Sequence, residues 1–217
     1  MIKLIFPEWS YGEFLDGHAK ARGITRRPAT YADGEVTITR AAGSITLPSR
    51  FMLVGAMNPC RCGWDGHPSG RCHCTKQQVE KYVEKISGPM LDRMDLHVNV
   101  PSVEFEAMRR REKAESSADV KARVNAARDI QKQRFSGTNI TCNAQMTPAM
   151  VGEFCTLDAA GEKLLKGAFE RLGLTARSHD RLLRVARTIA DLDGSEKIEA
   201  HHLAEAIQYR NTDILQG

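Results

Sequence analysis

The chain has 217 residues, 41% apolar and 27% charged, enough to bury one medium core or two small ones and too apolar to stay unfolded. A net charge of +4 with a pI near 8.8 is compatible with a nucleic-acid partner but does not require one. No apolar run approaches the ~20 residues that cross a bilayer, so no membrane partner is expected. Met1-Ile-Lys-Leu-Ile-Phe6 is too short for a signal-peptide core. Six cysteines without an export signal then point to a reducing compartment, the cytoplasm.

Residues 1–33 show no helical or strand periodicity: Gly, Pro, Arg and aromatic residues mix, as in Thr25-Arg-Arg-Pro28, and 1–32 is expected to be an atypical or disordered segment. From Asp33 the pattern sharpens. Val36-Thr-Ile-Thr-Arg40 and Ile45-Thr-Leu47 alternate and are β-branched, with Ala41-Ala-Gly-Ser44 between them, which predicts a β-hairpin. Phe51–Met57 is a continuous apolar run and reads as a buried strand. A helix is expected over Gln77–Ile86, a short turn over Leu91–Met94, and a strand over Leu96–Val100. Residues 102–134 read as a charged helical stretch, and the run Arg109-Arg-Arg-Glu-Lys113 within it reads as a solvated face. After Ser136-Gly-Thr138 come three helix signals: Asp158–Leu172 ending at Gly173, Ala176–Leu192 ending at Asp193-Gly194, and a last helix through Leu203, Ala206 and Ile207. The expected organisation is a mixed α/β part over 33–135 and an all-helical part over 136–217, mainly α overall.

Between the apolar strand and the first helix lie Cys60-Arg-Cys62 and Cys72-His-Cys74. Two C-x-C pairs across a Gly/Pro/His loop can bring four thiolates to one tetrahedral ion, so Cys60, Cys62, Cys72 and Cys74 are the expected ligands of Zn²⁺, with His67 and His73 as substitutes. Four protein ligands leave no open position, which makes the role structural. Arg61 and Arg71 are expected to lower the thiol pKa values. Cys142 and Cys155 stand alone as core or surface thiols.

Four segments carry a resemblance: Gly34-Glu-Val-Thr-Ile-Thr-Arg-Ala-Ala-Gly-Ser44, Phe51-Met-Leu-Val-Gly-Ala-Met-Asn-Pro-Cys60, Ser87-Gly-Pro-Met-Leu-Asp-Arg-Met-Asp95 and Ser178-His-Asp-Arg-Leu-Leu-Arg-Val-Ala-Arg-Thr-Ile-Ala-Asp-Leu192. Over roughly 33–213 the chain resembles the magnesium-chelatase-like AAA+ ATPases, and within them the ComM/YifB competence-related group. The resemblance implies the C-terminal part of an AAA+ (P-loop NTPase) α/β core with a pore-facing hairpin, followed by a helical lid. It also implies ATP with Mg²⁺ as cofactor, a homo-oligomeric ring (a hexamer), DNA as partner, and a helicase or branch-migration motor of natural transformation. By the same resemblance Asn58 is sensor 1, Arg93 the arginine finger acting on a neighbouring subunit, and Arg177 the sensor 2 arginine, with Arg181 second. Arg40, near the hairpin tip, would contact the DNA backbone, with Arg50 at the hairpin base.

The chain departs from the family in having no G-x-x-x-x-G-K-[ST] and no strand ending in a Mg²⁺-holding acidic pair; Glu13-Phe-Leu-Asp16 is only faintly reminiscent of the latter. It therefore reads as truncated or frame-disrupted and inactive alone. Two alternatives stand beside this reading: a zinc-stabilised nucleic-acid-binding module without ATPase activity, and a magnesium-chelatase ATPase-type subunit working with a tetrapyrrole partner.

Overall fold

A computed structural model describes residues 2–9, 35–40, 43–48, 51–86, 91, 94–101 and 115–210; for 2–9, 35–40, 43, 51, 53 and 177 it describes the backbone alone. The strands are β1 (Ile2–Trp9), β2 (Glu35–Arg40), β3 (Gly43–Pro48), β4 (Phe51–Met57) and β5 (Leu96–Asn99). The helices are α1 (Lys76–Val83), α2 (Ser117–Arg134), α3 (Pro148–Phe154), α4 (Ala159–Leu172), α5 (Ala176–Leu192) and α6 (Ala200–Gln208), with a 3-10 turn at Asn143–Gln145.

β2 and β3 form the predicted hairpin, antiparallel from Glu35↔Pro48 to Arg40↔Gly43, so Arg40 stands in the last pair before the tip. Gly43, expected in the connection, belongs to the strand. The period of two places Val36 and Ile38 on one face with Ile45 and Leu47, and Ile45 is 64% exposed.

The second sheet has the order β4-β1-β5, with β1 antiparallel to both neighbours. This corrects the reading of residues 1–33 as lacking a strand. β1 pairs with segments about fifty and ninety residues further along the chain, so no local pattern announces it. β4 and β5 therefore run parallel to each other, with Met57 and Asn99 both opposite Ile2.

Local chemistry sets the helix starts. α1 opens on a reciprocal capping box between Thr75 and Gln78, and α4 on the Asp158 side chain, which accepts from the Gly161 N–H at 2.7 Å. α4 stops at Gly173, whose φ of +58° suits the left-handed cap. α5 is capped by Thr175. α3 was not anticipated: it is about two turns long and contains Gly152, although Thr147-Pro148, an N-cap with Pro at N1, announces it.

α3 to α6 close around one apolar cluster that includes Phe135, Met146, Val151, Leu165, Leu182, Ala186, Ala190, Ile198 and Leu203. Leu165 and Ala168 take the inner face of α4, and Leu164 is exposed. Beside the cluster lies a buried polar knot. Asp191, 2% exposed, accepts from Arg134 at 2.5 and 2.8 Å, from Asn143 Nδ2 at 2.7 Å and from Arg187 Nε at 3.1 Å. Arg187 also donates to the carbonyls of Ser195 and Glu196. The knot ties α2, the 3-10 turn, α5 and the α5–α6 connection to one carboxylate. Among the described residues no helix is long and apolar enough to cross a membrane.

Candidate functional site: the end of β4, the cysteine loop and the β5–helix junction

Asn58 follows β4 directly, and its side chain is exposed. The chain then folds back in three successive turns, closed by hydrogen bonds from Gly63 N–H to the Cys60 carbonyl, His67 N–H to Trp64 and Gly70 N–H to His67, at 3.0–3.2 Å. Gly63 has φ +84°, and a Cβ placed on it would lie 3.6 Å from Asn58 Nδ2. The loop's first turn thus lies against the Asn58 carboxamide.

The loop brings its four cysteines together. Cys60 is fully buried, Cys72 and Cys74 are half-buried and Cys62 is exposed. The Sγ–Sγ separations are 3.3 Å for Cys60–Cys62, 3.8 Å for Cys60–Cys72 and 3.6 Å for Cys62–Cys72, and all four sulfurs lie within 4.8 Å of one another. Tetrahedral ligands at ~2.3 Å from zinc sit about 3.8 Å apart, so the spacing fits such an ion. Neither expected substitute joins the cluster: His67 Nδ1 is held by the N–H of Ser69 at 3.0 Å, and His73 is exposed.

Without a cation the thiols disagree about ionisation. The Trp64 N–H and then the Cys60 thiol hold Cys62 down to about 6. At Cys72 the Cys74 N–H also pulls downward, but desolvation and the crowding of Cys62 and Cys60 prevail and push it up to about 12. One thiolate forms readily and its neighbours resist, as a crowded tetrathiolate must until a cation neutralises it. Arg71 lies with its guanidinium over the Trp64 ring, 5.1 Å from the centroid.

The second constellation lies at the other end of the sheet. Arg210, 5% exposed, donates from Nη1 to the Met94 carbonyl and from Nη2 to Ser178 Oγ at 3.0 Å. The His97 N–H donates to the Tyr209 carbonyl at 2.8 Å. Arg181, near the start of α5, pairs with Asp95 at 3.6 Å. The end of α6 and the start of α5 are thus fastened to the segment that enters β5. Buried His97 sits there too, and burial followed by the charge of Arg210 lowers its pKa to about 4.

Of the expected site residues, Asn58, Arg181 and the four cysteines are described with their side chains; Arg40 and Arg177 are placed by backbone only, and Arg93 and Arg50 lie outside the described residues, as do Glu13–Asp16 and Arg109–Lys113. The sheet register separates Asn58 from the β5 junction. Asn58 lies one residue past the level of Ile2, whereas Asp95 lies one residue before the level of Ile5. At ~3.3 Å per residue that is about 16 Å along the sheet. Sequence reasoning missed Arg210, whose partners Met94 and Ser178 are distant in sequence, and Asp191, which gathers the distant Arg134 and Asn143 besides Arg187 one helical turn away.

Comparison with known proteins places the chain in a family. The family described as magnesium chelatase, subunit ChlI, matches residues 13–108, and its C-terminal counterpart, magnesium chelatase subunit ChlI C-terminal, matches 114–210. The chain belongs to the magnesium-chelatase-like AAA+ proteins, in the ComM/YifB group. It is 40% identical to the uncharacterized protein YifB of Escherichia coli over 84% of this chain and 35% of that protein. It is 38% identical to the competence protein ComM of Haemophilus influenzae over 82% of this chain and 34% of that one. An uncharacterized Mycobacterium tuberculosis protein is 34% identical over 83% of this chain and 35% of its own length. The chain thus spans about a third of the length of the curated relatives it matches.

Proposed function

We propose that the chain supplies the phosphate-sensing and subunit-contacting portion of a ComM-like AAA+ motor that uses ATP and Mg²⁺ to move along DNA within a hexameric ring. In this reading Asn58 is sensor 1: an exposed carboxamide at the carboxyl end of β4, a strand expected to be buried but with Met52 and Val54 65% and 56% exposed, and able to orient the attacking water against a γ-phosphate. Arg93 is the arginine finger, with Arg177 and Arg181 as the lid arginines. The observation that carries the reading is the separation of the two constellations. Arg181 and Asp95 lie together, Arg93 is two residues from Asp95, and Asn58 is at the opposite end of the sheet. By the resemblance Arg93 serves a phosphate held by the adjoining protomer, where a guanidinium stabilises charge spread over the phosphoryl oxygens. The Arg40↔Gly43 pair puts a basic residue at the hairpin end for sequence-independent contact with the DNA backbone.

The sequence holds no P-loop, so the lysine and backbone N–H cradle for the β- and γ-phosphates must come from another polypeptide segment. The four cysteines bind Zn²⁺ as a structural ion in this reading. The test is to mix the chain with a separately produced P-loop-bearing portion of a YifB-type relative. DNA-stimulated ATP hydrolysis is expected, lost with Arg93→Ala and with Asn58→Ala. Hydrolysis no higher than that of the P-loop portion alone rejects the motor reading.

The convergent sulfurs, flanked by exposed Arg61 and Arg71, favour one other reading, a zinc module that binds nucleic acid electrostatically. It requires DNA affinity that falls steeply with salt and disappears on chelation.

A further inference from the structure

Asn58 and Cys60 are separated by Pro59 alone, and the turn that begins at Cys60 brings Gly63 back over the Asn58 amide. The loop that makes this approach has little apolar support of its own. Of residues 58–74 Cys60 alone is buried, and the side chains of Trp64, His67 and Arg71 pack mainly on one another. What unites the loop's two arms is the meeting of Cys60 and Cys62 with Cys72 and Cys74. Cys74 is followed immediately by Thr75, the cap of α1.

We propose that a tetrahedral thiophilic ion held by these four cysteines is the device that positions Asn58. Ion binding fixes the Cys60–Gly63 turn, and the turn, through Gly63, walls one side of the carboxamide and limits its rotamers. This rests on the sensor reading of Asn58 only for its consequence. The coupling between the ion and the amide stands on the geometry of the loop. The left-handed φ favours glycine at 63, and a Cβ added there would sit in ordinary van der Waals contact with the Asn58 amide, which is how near the turn comes to it. Loss of the ion would leave the chemistry of Asn58 intact but its direction unset, and a misdirected water-orienting group costs rate rather than binding.

The experiment uses the full chain, ¹⁵N-labelled and loaded with Zn²⁺, with metal content measured by elemental analysis. The Asn58 side-chain amide signals are identified by their absence in Asn58→Ser. Removing the ion with a chelator, or by Cys62→Ser, is expected to shift or broaden those signals and to speed backbone amide exchange over 60–64 by about tenfold or more, while signals of α5 and α6 stay in place as the control for folding. A second variant, Gly63→Ala, keeps all four thiols and is expected to retain one equivalent of zinc yet move the Asn58 signals. One equivalent of zinc whose removal leaves the Asn58 amide unchanged overturns the coupling without touching the sensor reading. Absence of bound metal overturns the coupling at its root. A coupling that is present while the reconstituted ATPase ignores Asn58→Ala upholds this inference and rejects the sensor role instead.

Discussion

The cysteine loop and the helical region that ends at Arg210 are held together by opposite means. In the helical region, apolar side chains from α3 to α6 pack on one another, and Asp191 gathers Arg134, Asn143 and Arg187 in a fully partnered buried knot. Each helix is also capped or terminated by its own sequence. The loop has turns, one buried cysteine and a convergence of sulfurs that repel one another once ionised. The first region is stable through its own burial. The second has a defined shape that its protein contacts alone hold weakly, and it borders the residue proposed to sense the nucleotide. The proposed ion would supply from outside the cohesion that the helical region draws from its own core.

The largest expected effect that separates the two regions comes from Asp191→Ala. It leaves the buried Arg187 and the partly buried Arg134 guanidinium groups without their shared carboxylate and should destabilise the helical region by about 3–5 kcal/mol. Chemical denaturation measures this, and a loss under about 1 kcal/mol would mean the knot is not integral to the fold. Chelation should do the reverse, disturbing amide exchange in the loop while the helical circular dichroism signal holds.

Next in size is acid. His97 has a folded-state pKa of about 4 against an ordinary 6.5, with burial the larger cause and Arg210 the second. The unfolded chain therefore takes up the proton first. Stability from keeping His97 neutral is complete above pH ~6.5 and is lost as pH falls toward 4, by on the order of 3 kcal/mol. Stability curves of His97→Gln should lack that slope between these pH values. If the slope is unchanged, it arises elsewhere than at the β5–α6 junction.

Gly173→Ala should cost about 1 kcal/mol, because the residue ends α4 in the left-handed conformation with φ +58°. The smallest effect belongs to the exposed Glu115–Arg123 pair, bidentate at 2.5 and 3.1 Å. Arg123→Ala should change stability by no more than about 0.5 kcal/mol. A larger loss would show that α2 depends on surface charge more than on its burial against Asp191's network.

Much of this was legible in the chain. The alternation of Val36–Arg40 and Ile45–Leu47 marks the hairpin, and Gly173 with Asp193-Gly194 marks helix ends, because turn and cap chemistry act over a few residues. The spacing of Cys60, Cys62, Cys72 and Cys74 suffices to name them as a group. Three things were out of reach. β1 pairs with strands about fifty and ninety residues away, so nothing local marks it. Arg210 was one more charge at a helix end until Met94 and Ser178 closed on it. The approach of Gly63 to Asn58 depends on how the first turn of the loop folds back.

By itself the sequence determined the periodic and capped elements, which rest on residues a few positions apart, and the four-thiol set and family motifs, which rest on residue type and spacing. Only the tertiary structure decided that Asn58 and the Arg181–Asp95 pair occupy opposite ends of one sheet and that a loop glycine lies against the amide. Those facts depend on strand register and on contacts between segments far apart in sequence, and the register is set where the segments pair.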